Sequence, residues 1–343
     1  MGNSASKYFV KTISRITALV SAMTILIVVA LVFTLIDLNE PGPYVTTRHQ
    51  DKDTGQQALI KSESWSPPDT SLLDLLPDGN LIEYGRKLIA NTSWYLGPRG
   101  TVGIFSNGMN CQNCHLEAGT KIFGNNYSAV ASTYPKFRAR SGTKETIEKR
   151  VNDCFERSLN GQPLPDHSRE MKAIVAYIKW LGKDVETGHS PKGSGLAVLN
   201  HLDRPADPAK GKELYANICS ACHGKSGEGL LNESRAGYKY PPLWGDNSYN
   251  WGAGLYRLSN FARFIKANMP LGATYADPVL TDEQSWDIAA YVNSRPRPKM
   301  NLSKDWPDIS KKPFDHPFGP YMDSFPETQH KFGPFGPILE NKR

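Results

Sequence analysis

Two pentapeptides in the sequence repeat one arrangement of chemically active residues, CQNCH at 111–115 and CSACH at 219–223. Two thiols at this spacing can bond the two vinyl groups of one porphyrin, and the histidine that follows can bind the iron. A zinc site is the alternative, but two pairs 108 residues apart, each followed by histidine, fit haem attachment better. The sequence therefore predicts two covalently bound haem c groups. The predicted attachment residues are Cys111, Cys114 and His115 for haem 1, and Cys219, Cys222 and His223 for haem 2.

One of the five cysteines, Cys154, is left over once both motifs are filled. A free thiol in an oxidising compartment is usually avoided unless it is buried or used. On a helix, Arg150 and Ser158 would share the face of Cys154, and a nearby cation favours thiolate over thiol. We therefore predict that the Cys154 thiolate binds the iron of haem 1. A buried, inert cysteine is the alternative.

Haem 2 needs a sixth iron ligand, and Met269 is the first candidate. It lies 46 residues after His223, in a loop ahead of a closing helix, where small cytochromes place such a ligand. Met300 and Lys266 are the weaker candidates. Because methionine raises a haem potential and thiolate lowers it, electrons are expected to pass from haem 1 to haem 2. Met109 and Met171 are possible replacement ligands for haem 1 when Cys154 departs, although each is more typical of a core residue.

Each motif is flanked by segments with helical periodicity, at 81–89 and 170–181 for the first and at 209–215 and 282–293 for the second. The expected fold is all-α, with two cytochrome c-like haem domains in tandem. The predicted boundaries are a cytoplasmic N-terminus at 1–15, a transmembrane anchor at 16–36, a linker at 37–78, domain 1 at 79–188, an interdomain linker at 189–204, domain 2 at 205–300 and a C-terminal arm at 301–343.

Residues 16–36 are 21 uncharged, predominantly apolar residues, long enough for a helix that spans a bilayer. Basic residues precede this run and acidic residues follow it, so the N-terminus is expected in the cytoplasm. The haem domains would then lie in the periplasm or outside. A cleaved signal peptide is the alternative, but its apolar region would be shorter and would end in a small-x-small site.

Composition limits the remaining classes of protein. With 39% hydrophobic and 22% charged residues the chain of 343 residues is not disordered, and a net charge of +6 gives no argument for nucleic acid binding.

The extended segment 301–343 is rich in proline and aromatic residues, which predicts an arm packed across both haem units. His316 and His330 in it are expected to be structural and not iron ligands.

Five segments of the sequence together resemble the dihaem thiosulfate dehydrogenases. They are GRKLIANT at 85–92, YLGP at 95–98, NCQNCHLEAGT at 110–120, NDCFERSLNG at 152–161 and the tail around 313–338. The resemblance covers about residues 65 to 340, and its most specific element is the segment around Cys154. That family oxidises two thiosulfates to tetrathionate, and some members run the reaction in reverse as tetrathionate reductases. The anchor is a departure, since soluble periplasmic members are common.

The resemblance implies a catalytic haem 1 with His115 and Cys154 as axial ligands, and a haem 2 with His223 and a methionine. It also implies that Arg140 and Arg150 bind substrate and that Ser158 belongs to the active site. The expected partners are thiosulfate and tetrathionate and a c-type cytochrome or other redox partner. The cytoplasmic membrane is expected as a further partner from the apolar run at 16–36 and not from the resemblance.

The chemistry agrees with those residue types, because two thiosulfate dianions about 5 Å apart repel by roughly 3 kcal/mol even in water. Arginine keeps its charge and offers a fork of donors to oxyanions. Arg138 and Arg157 are weaker candidates for this role. Our hypothesis is that Cys154 forms a covalent adduct with one thiosulfate, which a second resolves. The alternatives are a membrane-tethered dihaem electron-transfer cytochrome without turnover and a dihaem peroxidase.

Overall fold

The computed structural model describes residues 23–24, 64–234 and 236–342. The predicted anchor at 16–36 lies outside the described residues except for positions 23 and 24, as does most of the predicted linker at 37–78. Within the described part of the chain, no helix is both long and apolar enough to cross a bilayer. The described residues from 64 onwards belong to one compact unit, which contains both haem-attachment motifs.

The first motif lies in a bundle whose two longest helices, α1 (Gly79–Ala90) and α6 (Arg169–Leu181), cross each other. Both were expected from periodicity, and their observed ends extend those segments by at most two residues. The helices approach closely at Gly85, where a Cβ would overlap the carbonyl oxygen of Ala173. The other elements of this region are 3-10 helices at Thr70–Leu75 and Cys111–Asn113, α2 (Thr92–Leu96), α3 (Leu116–Gly119), α4 (Val130–Thr133) and α5 (Ile147–Arg157).

The second motif lies in a bundle built in the same way. Its crossing helices are α7 (Pro208–Leu214) and α10 (Asp282–Ser294), and they meet at Gly211, where a Cβ would overlap the carbonyl oxygen of Asp287. The other elements are a π-helical turn at Tyr215–Cys219, α8 (Ser220–His223), a 3-10 helix at Gly254–Tyr256 and α9 (Leu258–Asn268). The repeated glycine contact indicates two copies of one structural plan.

Three short antiparallel ribbons interrupt the helical architecture of the described residues, so the expected all-α class holds only for the helix-rich body. They pair β1 (Gly124–Asn126) with β4 (Gly195–Leu196), β2 (Lys136–Arg138) with β3 (Thr143–Glu145), and β5 (Leu230–Leu231) with β6 (Tyr238–Tyr240). Strands of two or three residues are too short to show an alternating pattern in the sequence. β4 falls in the predicted interdomain linker, which therefore pairs with a strand of the first region.

The described part of the predicted linker at 37–78 packs against the first region. The amide of Trp65 donates to the carbonyl oxygen of Lys192 at 3.0 Å, and its side chain packs on the first core. Leu73 is buried in that core. Residues 64–78 are therefore part of the folded body.

Each motif has its own apolar core, and the C-terminal segment contacts both. The first core includes the fully buried side chains Phe155 and Tyr177, and the second includes Trp286. Phe318 packs against the first core, whereas Phe335 is buried in the second. The segment contains a 3-10 helix at Ile309–Lys311, α11 (Glu327–Phe332) and α12 (Gly336–Asn341).

Candidate functional site

A cavity of about 470 Å³ opens beside the first motif, and its wall contains Cys111, Cys114 and His115. The Nδ1 of His115 hydrogen-bonds the carbonyl oxygen of Asn125 at 2.6 Å, which leaves Nε2 as the nitrogen that can bind a metal. Burial lowers the pKa of His115 to about 4, so the imidazole is neutral at pH 7. A neutral imidazole oriented by its other nitrogen is the form that binds haem iron.

The helix α5 presents three predicted site residues to this cavity. Arg150, Cys154 and Ser158 all line it, as their four-residue spacing predicted. The hydroxyl of Thr146 caps the start of α5 by accepting from the amide of Lys149, and Ser158 caps its end. The pKa of Arg150 is raised, chiefly by the negative charge that the neighbouring Cys154 carries when it is ionised. The structure therefore brings the thiol, a cation and the first haem-attachment motif together.

The four arginines near this cavity differ in their ion pairs. Arg157 forms a two-pronged salt bridge with Asp305, at 2.7 and 2.8 Å, and Arg138 lies 3.9 Å from Glu145. No carboxylate lies within 4.0 Å of Arg140 or Arg150 among the described residues. The two arginines chosen by resemblance are thus the two that keep an unneutralised charge.

Arg140 does not line the first cavity. It follows β2, and its Nη1 donates to the carbonyl oxygen of Gly252 at 3.1 Å. The amide of Trp306 donates to the Arg140 carbonyl oxygen at 2.7 Å, and the Trp306 ring lies 5.7 Å from the guanidinium carbon. Burial, together with the charges of Arg157 and Arg150, lowers the pKa of Arg140 to about 10. Arg140 is therefore close enough to Arg150 for their charges to interact, although it stands behind the cavity wall.

A second cavity of about 320 Å³ contains Cys219, Cys222, His223 and Met269 in its wall. The Nδ1 of His223 hydrogen-bonds the carbonyl oxygen of Pro241 at 2.9 Å, which again leaves Nε2 available. Met269 is the residue that follows α9 and caps its end. The second motif and its first-choice sulfur ligand therefore share one cavity.

The weaker ligand candidates lie elsewhere. The ammonium group of Lys266 is held by the Leu280 carbonyl oxygen at 2.7 Å and by Asp282 at 2.9 Å. The sulfur of Met300 lies beside Gly252 and Arg157, outside the lining of the second cavity. Neither placement supports a role as an iron ligand.

The two methionines suggested as replacement ligands for haem 1 do not line its cavity. Met109 lines the second cavity, and Met171 lines a separate surface groove with Leu76 and Trp180. Both side chains are buried in the first apolar core, which confirms the preferred interpretation of each as a core residue. His316 and His330 are held by the carbonyl oxygens of Phe318 and Phe314, as the structural interpretation predicted.

Two cations in the first cavity were not anticipated from the sequence. Lys136 in β2 lies over the ring of Tyr134 at 4.9 Å, and Arg263 reaches the cavity from α9 of the second region. No spacing rule connects either residue to the first motif, because the contacts depend on tertiary packing.

Haem c fits both cavities. Each supplies two thiols, an imidazole with an available Nε2, a further sulfur donor and mainly apolar walls. Asn110 and Cys114 line both cavities, so the two spaces adjoin at the first motif.

Two family models match the chain. Residues 104–186 match "SoxA/TsdA, cytochrome c domain", and residues 206–292 match "Cytochrome C oxidase, cbb3-type, subunit III". These matches, with the geometry above, define a tandem of two cytochrome c domains that carries two haem c groups.

The chain is similar in sequence to several curated relatives that share one name. The chain is 40% identical over 231 residues to the thiosulfate dehydrogenase of Allochromatium vinosum, covering 65% of this chain and 82% of that one. It is 37% identical over 235 residues to that of Stutzerimonas stutzeri, covering 68% and 73%. The match to the Psychrobacter arcticus thiosulfate dehydrogenase is 42% identical over 203 residues and covers 59% of this chain but only 61% of the relative.

A solved structure is also similar to this chain and has the same family name as the curated relatives. The thiosulfate dehydrogenase TsdBA from Marichromatium purpuratum superposes with a TM-score of 0.64 at 33% identity, covering 71% of this chain and 51% of that chain. The chain therefore belongs to the thiosulfate dehydrogenase family of c-type cytochrome enzymes. The predictions of the family, of an enzyme and of two haem c groups are confirmed.

Proposed function

We propose that this protein oxidises two thiosulfate dianions to one tetrathionate at the first cavity, and that the reaction is reversible. The observation that carries the proposal is the placement of Cys154 in one cavity with Arg150 and the first haem-attachment motif. The names of the relatives support the same substrate.

The cations of this region offset the repulsion between the two substrates. Arg150 lines the cavity and has no carboxylate within 4.0 Å among the described residues, so its charge is available to oxyanions. Arg140 also lacks such a carboxylate and adds its positive charge from behind the cavity wall. Asp305 neutralises Arg157 and so limits the build-up of positive charge next to them. Ser158 can donate a further hydrogen bond to a sulfonate oxygen, because it lines the cavity at the end of α5.

The proposed chemistry takes place at the sulfur of Cys154. When bound, haem c supplies an acceptor that takes up electrons one at a time. The Cys154 thiolate forms a sulfur–sulfur bond with the outer sulfur of one thiosulfate, and two electrons leave, so that a singly charged cysteine S-thiosulfonate remains. A second thiosulfate attacks the outer sulfur of that bond, displaces the cysteine thiolate and departs as tetrathionate. Arg150 stabilises the regenerated thiolate, and no proton is consumed.

The second domain is proposed to carry the electrons to an external acceptor, a c-type cytochrome or other redox partner. Support comes from the shared wall residues Asn110 and Cys114 and from Met269 in the second cavity. A methionine ligand raises a haem potential and a thiolate lowers it, which favours transfer towards the second domain.

The location is a separate part of the proposal. We infer that residues 16–36 anchor the protein in the cytoplasmic membrane by a single pass, with the N-terminus inside and the haem domains in the periplasm or outside. The uncharged run and the basic residues before it support this arrangement.

Replacing Cys154 tests the enzymatic role. Cys154→Gly should retain both haems but lose thiosulfate-dependent reduction of an artificial acceptor, and lose the reverse reaction from tetrathionate. Haem content and the spectrum of haem 2 serve as controls for folding. Substantial turnover by this variant would contradict the mechanism, and a wild-type protein that passes electrons without consuming thiosulfate would favour the electron-transfer cytochrome.

A further inference from the structure

One residue of the second domain lines the cavity of the first. Arg263 lies in α9, whereas the other residues that line the first cavity come from positions 89 to 196. α9 packs along β1 and β4, and Asn268 at its end donates to the carbonyl oxygen of Phe123 at 3.1 Å. The helix that carries Arg263 is therefore fixed against the wall of the first cavity.

The guanidinium of Arg263 is held by backbone groups. Its Nε donates to the carbonyl oxygen of Ala197, and its Nη2 donates to that of Leu196 at 2.6 Å. No partner of Nη1 is found among the described residues, so this nitrogen keeps donors for a ligand. Two backbone bonds leave the guanidinium little freedom to turn away from the cavity.

Arg263 has no counter-charge of its own. No carboxylate lies within 4.0 Å of it among the described residues, and Asp315 is occupied by Arg257 at 2.5 Å and by the amide of Ser259 at 3.1 Å. The described residues that line the first cavity include no aspartate or glutamate. A partly buried guanidinium without an anion is unfavourable, which indicates that a bound group supplies the negative charge.

The position of Arg263 identifies the side of the cavity that it serves. It is bonded to Leu196 in β4, β4 pairs with β1, and β1 contains Asn125, the acceptor of the His115 hydrogen bond. Arg263 is therefore connected to the histidine side of the cavity, whereas Cys154 is presented by α5.

We propose that Arg263 binds a propionate of haem 1, so that a side chain of the second domain completes the cofactor site of the first and sets its reduction potential. Propionates are the acidic groups of haem, and arginine binds a carboxylate through its forked donors. A cation next to haem 1 disfavours the extra positive charge of the ferric state and therefore raises its potential.

The test compares both haems in one molecule. In Arg263→Gln, spectropotentiometric titration should show a lower midpoint potential for haem 1 and an unchanged one for haem 2. At the wild-type midpoint of haem 1, its ratio of reduced to oxidised form should fall on the order of fivefold. Arg295→Gln is the matched control, because Arg295 is an exposed arginine of the second domain that lies over the rings of Trp244 and Tyr291 and lines neither cavity.

Two outcomes would overturn the proposal. A lower melting temperature with an unchanged haem 1 potential would show that Arg263 only stabilises the packing of α9 against β4. A raised KM for thiosulfate with an unchanged haem 1 potential would place its anion in the substrate. Arg263→Lys keeps the positive charge but loses the paired guanidinium donors. The haem 1 potential of this variant should stay closer to wild type, while the propionate band in the resonance Raman spectrum should shift.

Discussion

The two cavities are built on one plan and differ in charge. In both, a CxxCH motif supplies two thiols and a histidine whose Nδ1 is bonded to a backbone carbonyl oxygen. The first cavity adds a cysteine and three cations, Lys136, Arg150 and Arg263, with no carboxylate among its described lining residues. The second adds two methionines, Met109 and the ligand candidate Met269, and its lining includes both Glu117 and Lys239. A shared scaffold thus holds one site suited to anionic substrates and one suited to electron transfer.

Of the substitutions that would reduce the charge difference between the two cavities, the loss of Arg150 should have the largest effect on activity. Arg150→Gln removes the cation next to the Cys154 thiolate, so kcat/KM for thiosulfate should fall on the order of 100-fold, as when one charge-stabilising donor is lost from an active site. Steady-state oxidation with an artificial acceptor measures the effect. Lys149→Gln is the matched control, because Lys149 precedes Arg150 on the same helix and pairs with Asp153. Equal losses in both variants would contradict a specific role for Arg150.

The two cavities also differ in the proposed sixth iron ligand, and substitution of Met269 tests this difference. Met269→Leu should lower the potential of haem 2 and slow turnover with an external acceptor, on the order of tenfold, while thiosulfate still reduces haem 1. Redox titration together with stopped-flow reduction separates the two effects. Met300→Leu is the control, since the Met300 sulfur lies beside Gly252 and Arg157. A change of the haem 2 spectrum in the control variant, with none in Met269→Leu, would reverse the assignment.

Much of this contrast follows from local sequence. The CxxCH motifs fix where haem is attached, and the four-residue spacing of Arg150, Cys154 and Ser158 places them on one face of a helix whatever the rest of the fold does. The crossing helices could also be predicted, since helical periodicity marks the segments at 81–89, 170–181, 209–215 and 282–293.

The parts that could not be predicted depend on distant contacts. Arg157 is neutralised by Asp305, 148 positions later in the chain, and Arg263 reaches the first cavity from the other domain. Met109 precedes the first motif by two residues yet lines the second cavity, because the cavities adjoin there. Periodicity carries no information about such pairings.

His316 offers a smaller test of the positive charge behind the first cavity. It lines a small cavity together with Arg140 and Asp305. Its pKa is lowered to about 4, chiefly by burial; the hydrogen bond to Phe318 raises the pKa, and the charges of Lys312, Arg140 and Arg257 lower it. The folded state therefore holds a neutral imidazole, whereas the unfolded chain binds a proton near the ordinary histidine pKa of 6.5.

Between these pKa values the unfolded state binds more protons, so the contribution of His316 to stability is present above pH 6.5 and is lost as the pH falls towards 4. His316→Asn removes the titrating group while keeping a donor for the Phe318 carbonyl oxygen. The free energy of unfolding by guanidinium should therefore decline less from pH 6.5 to pH 4 in the variant, by on the order of 2 kcal/mol. His330→Asn is the comparison, because His330 is also buried but contacts the carboxylate of Asp323 at 2.9 Å and does not line the small cavity of Arg140. Parallel curves for wild type and His316→Asn would show that burial and the cations around Arg140 impose no such cost on His316.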